Sequence, residues 1–193
     1  MKDDSIVYGK NVVLGRHVVL EPGVVLGDNV TVGDFTIIKA GTRIGNGVQI
    51  GDLCVLGKGP FHNRKMALKP ALDLPPLEIG DNVKVGSSVI VYRGTVIGED
   101  VLIGDHASIR EKVEVGRSSI IGRNVVVEPR TKIGEQVTIQ TSSYITSDMI
   151  IEDGVFIGPC CSTSNDKYMG MGNYKHQGPR IKRGARIGNN ATL

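Results

Sequence analysis

A six-residue period governs the chain from Tyr8 to Leu193. Every sixth residue from Tyr8 through Leu14, Leu20 and Leu26 to Leu56 is large and apolar. The series resumes from Ile79 to Ile157 and again at Ile181, Ile187 and Leu193. Of these 26 positions 25 are Leu, Ile or Val, and Gly follows in 16. A helix repeats near 3.6 residues and a half-buried strand near 2, so neither alone gives a strict six. Short strands joined by tight corners do. Each hexapeptide then supplies one large inward aliphatic, a small inward residue four places on, and corner residues able to take positive φ. Three hexapeptides close one triangular turn, and stacked turns give an all-β parallel β-helix with a core of aligned columns.

Sorting the slots by 18 residues supports three unlike corners. The column from Tyr8 is followed by Gly in eight of nine slots, and the column from Leu14 in seven of eight. The column of Leu20, Ile38, Leu56, Val91, Ile109, Val127, Ile145 and Ile181 is followed by Gly only once, at Gly57. About eight coils are expected to stack in register within one domain, residues 1–193. Each buried aliphatic should contribute roughly 1.5–3 kcal/mol against the cost of ordering the chain. Aromatics at 4% and the absence of Trp fit a narrow prism that has no room for rings.

Composition removes several function classes. Net charge is +3, with basic residues scattered rather than blocked, which gives nucleic-acid binding no footprint. No apolar run reaches membrane-spanning length, and Met1-Lys2-Asp3-Asp4 does not open a signal peptide. Cys54, Cys160 and Cys161 form no metal or redox spacing, so a reduced, cytoplasmic setting is expected. Cys54 and Cys161 fall on small core slots; Cys160 falls at a corner.

The register breaks twice, over 57–78 and 163–180, and both breaks read as extruded loops. The first carries Pro60, Phe61, His62, Arg64, Lys65 and Pro70. The second carries Ser164-Asn165-Asp166-Lys167-Tyr168 and Tyr174-Lys175-His176, and Thr163, Met169 and Lys175 are poor core residues. His106 sits at a corner in a column with His17, Phe35, Leu53, Ser88, Asn124, Ser142 and Cys160. A corner role explains it, because His tolerates positive φ; so does a general base, because imidazole titrates near neutrality. Cys160 lies three coils along that corner, about 14 Å away at a strand spacing of about 4.8 Å. That distance suits a pantetheine arm. His17 reads as surface, and His62 and His176 as solvated or substrate-contacting. Arg180, Lys182, Arg183 and Arg186, with backbone N–H groups around Gly184 and Ala185, form either a solvated coil end or a phosphate site. Tyr92, Arg93, Arg110, Glu111 and Lys112, on the corner without glycines, either hold a polar substrate or pair across coils.

With these stretches in view, the chain resembles the hexapeptide-repeat acyltransferases over nearly its whole length. Within them it is most similar to the N-acetyltransferases of nucleotide-linked amino sugars. The matching segments are Val91-Tyr92-Arg93-Gly94, Ile151 to Pro159, Thr163 to Tyr168 and Gly178 to Gly188. The resemblance implies a left-handed helix, a homotrimer, and acetyl-CoA in a groove between neighbouring prisms. CoA phosphates would sit by the basic C-terminal coils and the sugar nucleotide nearer the first loop. Two departures stand out. Met169-Gly170-Met171-Gly172 replaces a common proline, implying a reshaped loop, and the chain stops at Leu193 inside a coil, which reads either as truncation or as an incomplete CoA site.

The expected activity is transfer of acetyl from acetyl-CoA to an amine of a nucleotide-linked amino sugar by direct attack, without a metal. His106 is the expected base, and Asn165 and Asp166 orient the acceptor or the loop. Tyr92, Arg93, Arg110, Glu111 and His62 are the expected acceptor contacts. Cys160, Cys161, Lys182, Arg183, Gly184 and Ala185 are the expected acyl-CoA contacts, with a backbone N–H near Cys160 or Cys161 polarising the thioester. An O-acetyltransferase and a non-catalytic assembly module remain alternatives. A γ-type carbonic anhydrase is excluded, because no two of His17, His62, His106 and His176 have the spacing of its zinc ligands.

Overall fold

The computed structural model describes residues 6–66, 69, 71, 73–172 and 174–193; Met1–Asp4 and Pro70 lie outside them. Short strands build three parallel sheets, which are the walls of a prism. The first face has nine strands from Val7–Tyr8 to Arg180–Ile181, and the second has nine from Val13–Leu14 to Arg186–Ile187. The third has seven from Val19–Leu20 to Tyr144–Ile145, extended by a bridge from Tyr144 to Ser162. Outside the excursions, partners lie 18 residues apart, as in Val7↔Val25 and Ser108↔Val126. The expected columns form the core: Leu26, Ile38, Ile103, Ile109 and Ile145 are buried, with Val24, Thr36, Cys54 and Cys161 in the small slots. Thr36 shows how a polar residue enters that core. Its Oγ1 donates to the Gly51 carbonyl (3.0 Å) and accepts from the Cys54 amide (3.1 Å). No described helix is long and apolar enough to cross a membrane.

Corner chemistry follows from coil spacing. A Cβ built at Gly45 would lie 2.7 Å from the Gly80 carbonyl carbon and 2.4 Å from Asp81 Oδ1. The next coil comes too close for a side chain there. Corner carboxylates then accept from the amide of the preceding coil, as Asp34 does from Arg16 (2.7 Å) and Asp105 from Ser87 (2.9 Å). At the corner from the third face to the first, the residues that follow the strand slots, Gly57 apart, carry full side chains.

The structure corrects the register at one place. Thr163, read from the sequence as a poor core residue, fills the third-face slot above Ile145 and is buried. Its hydroxyl accepts from the Thr146 amide (2.8 Å) and donates to the Tyr144 carbonyl (3.0 Å), so nothing polar is stranded. Every later slot therefore moves one face on. Ile181 pairs with Ile151 on the first face rather than joining the Ile145 column, and Ile187 pairs with Ile157 on the second. The excursions are also tighter than 57–78 and 163–180. Val55–Lys58 continues as a four-residue strand with Lys58 opposite Tyr92, and the described strands rejoin at Glu78–Ile79 and Arg180–Ile181.

Candidate active site

Both excursions leave the same corner, between the third and first faces, and a cleft of about 270 Å³ lies between them. Its floor is made by residues that follow third-face strands: Arg110 and Glu111, Glu128 to Arg130, and Thr146 with Ser147. Met66 of the first excursion forms one wall; Asn165, Asp166 and His176 of the second form the other. Tyr144 lines it from the third face.

The floor is charged and largely out of water. Glu111 is only 3% exposed, and Arg110 donates to both its oxygens, from Nε at 2.9 Å and Nη2 at 3.2 Å. The Arg110 guanidinium stacks on Tyr92 (4.9 Å), with Lys58 also against that ring (5.3 Å). Glu128 lies 3.6 Å from Arg110 Nη1. Burial pushes the Glu128 carboxyl above its ordinary range; Arg110 opposes that and Glu111 adds to it. Burial likewise raises the Tyr144 phenol, aided by Glu128. Arg130 is closed off by Asp148 through two bonds of 2.7 Å.

Asp166 holds its own loop. It accepts from the Tyr174 hydroxyl and from the amides of Tyr168 (3.1 Å) and Gly170 (2.8 Å), and these bonds, the Tyr174 one foremost, hold its carboxyl below the usual range. Tyr174 packs edge-on against Tyr168 and tilts against His176, whose ring is 5.1 Å away.

The other expected site residues lie elsewhere on the prism. His106 and Cys160 share the corner between the second and third faces, with φ of 59° and 57°, and both are exposed. The His106 amide donates to the Ser87 carbonyl (2.9 Å), and its imidazole makes no hydrogen bond among the described residues. His106 and Arg110 flank one strand, Ser108–Ile109, so they mark opposite edges of one wall, about 13 Å apart along extended chain. Cys161 is buried, its thiol donating to the Gly188 carbonyl (3.0 Å).

Lys182 to Ala185 occupy the remaining corner, between the first and second faces. Three of the nearby cations already have partners: Arg180 and Lys182 pair with Glu152 (2.8 and 3.3 Å), and Arg183 with Asp153 (2.7 Å). Arg93 holds backbone rather than facing the cleft, donating to the carbonyls of Ala40 (2.9 Å) and Leu74. His62 is exposed and outside the cleft lining. A single chain thus gathers Arg110, Glu111, Asn165 and Asp166, backed by Tyr92, and leaves His106, Cys160 and the basic coil end at two other corners. Glu128, Tyr144 and the Arg130–Asp148 pair were given no role from the sequence. The signal was there: Tyr92, Arg110, Glu128 and Thr146 follow third-face slots at intervals of 18, between the roots of the two excursions.

The fold is a left-handed parallel β-helix built on the hexapeptide repeat. Residues 94–129 match the bacterial transferase hexapeptide (six repeats), and residues 6–33 and 76–105 match the hexapeptide repeat of succinyl-transferase. Among solved structures, LpxA from Acinetobacter baumannii is 24% identical with a TM-score of 0.75, over 83% of this chain and 63% of that one. The chain thus spans less than two thirds of that relative. LpxA from Bacteroides fragilis, a UDP-N-acetylglucosamine acyltransferase, is 22% identical over 100% of this chain and 69% of its own, at a TM-score of 0.38. A perosamine N-acetyltransferase from Caulobacter crescentus, in complex with CoA and GDP-perosamine, is 21% identical over 70% and 50%, at 0.42. The last two superpose too loosely to add to the fold argument. No curated protein sequence matches the chain.

Proposed function

We propose that the protein is an acyl-CoA-dependent acyltransferase that moves acetyl from acetyl-CoA to an amine of a nucleotide-linked amino sugar, acting in the cytoplasm. The observation that carries this is a transferase-type hexapeptide repeat with an open histidine corner at one edge of a wall and a loop-walled polar cleft at the other. The amine nitrogen attacks the thioester carbon as the C–S bond breaks. His106 takes one proton from the ammonium form of the acceptor before attack. The second proton, lost from nitrogen as the amide forms, goes to the sulfur, so that CoA leaves as its thiol. The acceptor sugar occupies the cleft. The first excursion, with Lys58, Arg64 and Lys65 and no acidic residue from 57 to 72, faces its diphosphate. The acyl carrier lies along the His106–Cys160 corner, with Lys182 to Ala185 toward its phosphates. Because these groups occupy different corners, we take the working unit to be a homotrimer, in which one prism's histidine corner meets the next prism's cleft. Asp166 serves as a positioning residue for the second excursion.

Thiol release from acetyl-CoA with a panel of amino-sugar nucleotides tests the reading. Release with at least one amine and its loss in His106→Ala are expected. Undiminished release in that variant removes the base assignment, and failure of the intact assembly to bind CoA removes the acyltransferase reading itself. Light scattering checks the trimer.

A further inference from the structure

We propose that the cleft recognises its acceptor as a protonated amine, and that the Glu128 carboxylate receives the ammonium. The inference deepens the acyltransferase reading by assigning the selecting residue. Among the described residues, the arginines and carboxylates lining the cleft account for one another with one exception. Arg110 is held by both oxygens of Glu111, Arg130 by both oxygens of Asp148, and the oxygens of Asp166 by Tyr174 and two loop amides. Glu128 remains. Its side chain is 23% exposed, its nearest cation is Arg110 Nη1 at 3.6 Å, and it has no hydrogen-bond donor among the described residues.

A carboxylate so withdrawn from water favours any group that restores donors and opposite charge together. An ammonium brings three N–H donors and a positive charge, whereas a hydroxyl brings one donor and no charge. A phosphate would face Glu111 and Glu128 while both arginines already donate elsewhere, so the floor disfavours anions. Tyr144 and Thr146, on the same lining, offer neutral oxygens to the rest of a sugar. The cleft's 270 Å³ has room for one hexose-sized group and not for a nucleotide as well, which leaves the diphosphate to the basic first excursion. Glu128 in this assignment selects the acceptor; it does not carry out the transfer.

Calorimetry on the full chain without any acyl donor tests the assignment, using UDP-glucosamine and UDP-N-acetylglucosamine as probes that differ in the charge at one nitrogen. UDP-glucosamine is expected to bind at least about tenfold more tightly, as a charge-assisted hydrogen bond of ordinary strength gives. Glu128→Gln, which keeps the shape and removes the charge, should abolish the preference and leave the affinity for UDP-N-acetylglucosamine unchanged. Glu128→Asp should retain a weakened preference. The melting temperature of Glu128→Gln should not fall, because the variant no longer buries a charge, so lost binding will not reflect lost fold. Equal affinity for both probes, binding of neither, or a preference that survives in Glu128→Gln overturns the assignment. Since no acyl donor is present, the two readings fail separately. An intact amine preference without acetyl transfer sinks the acyltransferase reading alone; transfer without the preference sinks the role of Glu128 alone.

Discussion

The corner carrying His106 and the corner carrying the cleft lie at the two edges of one wall, and they are built differently. At the His106 corner a Cβ added to Gly51 would stand 2.8 Å from the Gly86 carbonyl carbon. A side chain at Gly51 would collide with the next coil, and the corner turns through one residue in the left-handed region, such as His106 or Cys160. At the cleft corner the slot after the strand accepts Arg110, Glu128 or Thr146, and the next residue is also polar in Glu111 and Ser147. These side chains give that corner enough atoms to wall a cavity, and both excursions leave from it. On the proposed reading, the tight corner presents the reactive group and the cleft corner binds the acceptor.

The largest effect should come from the tight corner. His106→Ala should lower turnover by roughly 10²- to 10⁴-fold, the usual range for removing a general base, with the melting temperature little changed because the exposed imidazole makes no hydrogen bond among the described residues. A loss confined to KM would instead assign His106 to binding and dissolve the contrast between the edges. Beneath both edges runs Ile109, fully buried in the strand that joins them. Ile109→Ala should cost about 2–5 kcal/mol in denaturant unfolding, and a smaller loss would mean the wall is less rigid than its packing indicates.

Much of this was legible in the sequence because the prism is nearly one-dimensional. A period of six fixes the inward columns, and 18 fixes which residues stack, so Ile38, Ile103 and Cys54 could be placed without coordinates. The reading failed at Thr163, where a hydroxyl substitutes for an aliphatic. Hydropathy alone counted that slot as loop, and the one-face shift of Ile181 and Ile187 followed. The cleft was half legible. Arg110 and Glu111 stood out as a charged pair, but the isolation of Glu128 depends on which guanidinium nitrogen each carboxylate receives, and no periodicity carries that. Thr163→Val tests the corrected register. It keeps the shape and strands the Thr146 amide, while the Tyr144 carbonyl retains the Thr163 amide as donor (3.1 Å), so a loss of about 1–3 kcal/mol is expected. A neutral or stabilising result would return Thr163 to the loop.

A smaller effect separates the cleft from the rest by pH. The Glu128 carboxyl is raised in the fold above its ordinary value of 4.5 by burial. Its contribution to stability is therefore fully present below 4.5 and is lost as pH rises through the raised folded value. Melting temperatures from about pH 4 to about pH 8 should fall more for the native chain than for Glu128→Gln. Parallel curves would mean that Glu128 is solvated and the cleft floor is ordinary surface.

The smallest effect belongs to the remaining corner, and its sign is opposite. The Arg183 amide, then Arg180 and Lys182, pull the Glu152 carboxyl from 4.5 to about 2. A depressed carboxylate contributes stability above its unfolded value and loses it as pH falls toward the folded one, so the window lies between 4.5 and about 2. Glu152→Gln should melt slightly below the native chain near neutrality, and the two should converge as the medium is acidified through that window. The pairs are open to solvent, so added salt should shrink the gap at neutral pH as well. The same variant bears on the acyl carrier. Releasing Arg180 and Lys182 from Glu152 frees two cations at the corner assigned to CoA phosphates, so Glu152→Gln should tighten CoA binding in calorimetry as it slightly weakens the fold. A variant that binds CoA no better, or more weakly, would make these cations ties between neighbouring coils and move the phosphates to another corner.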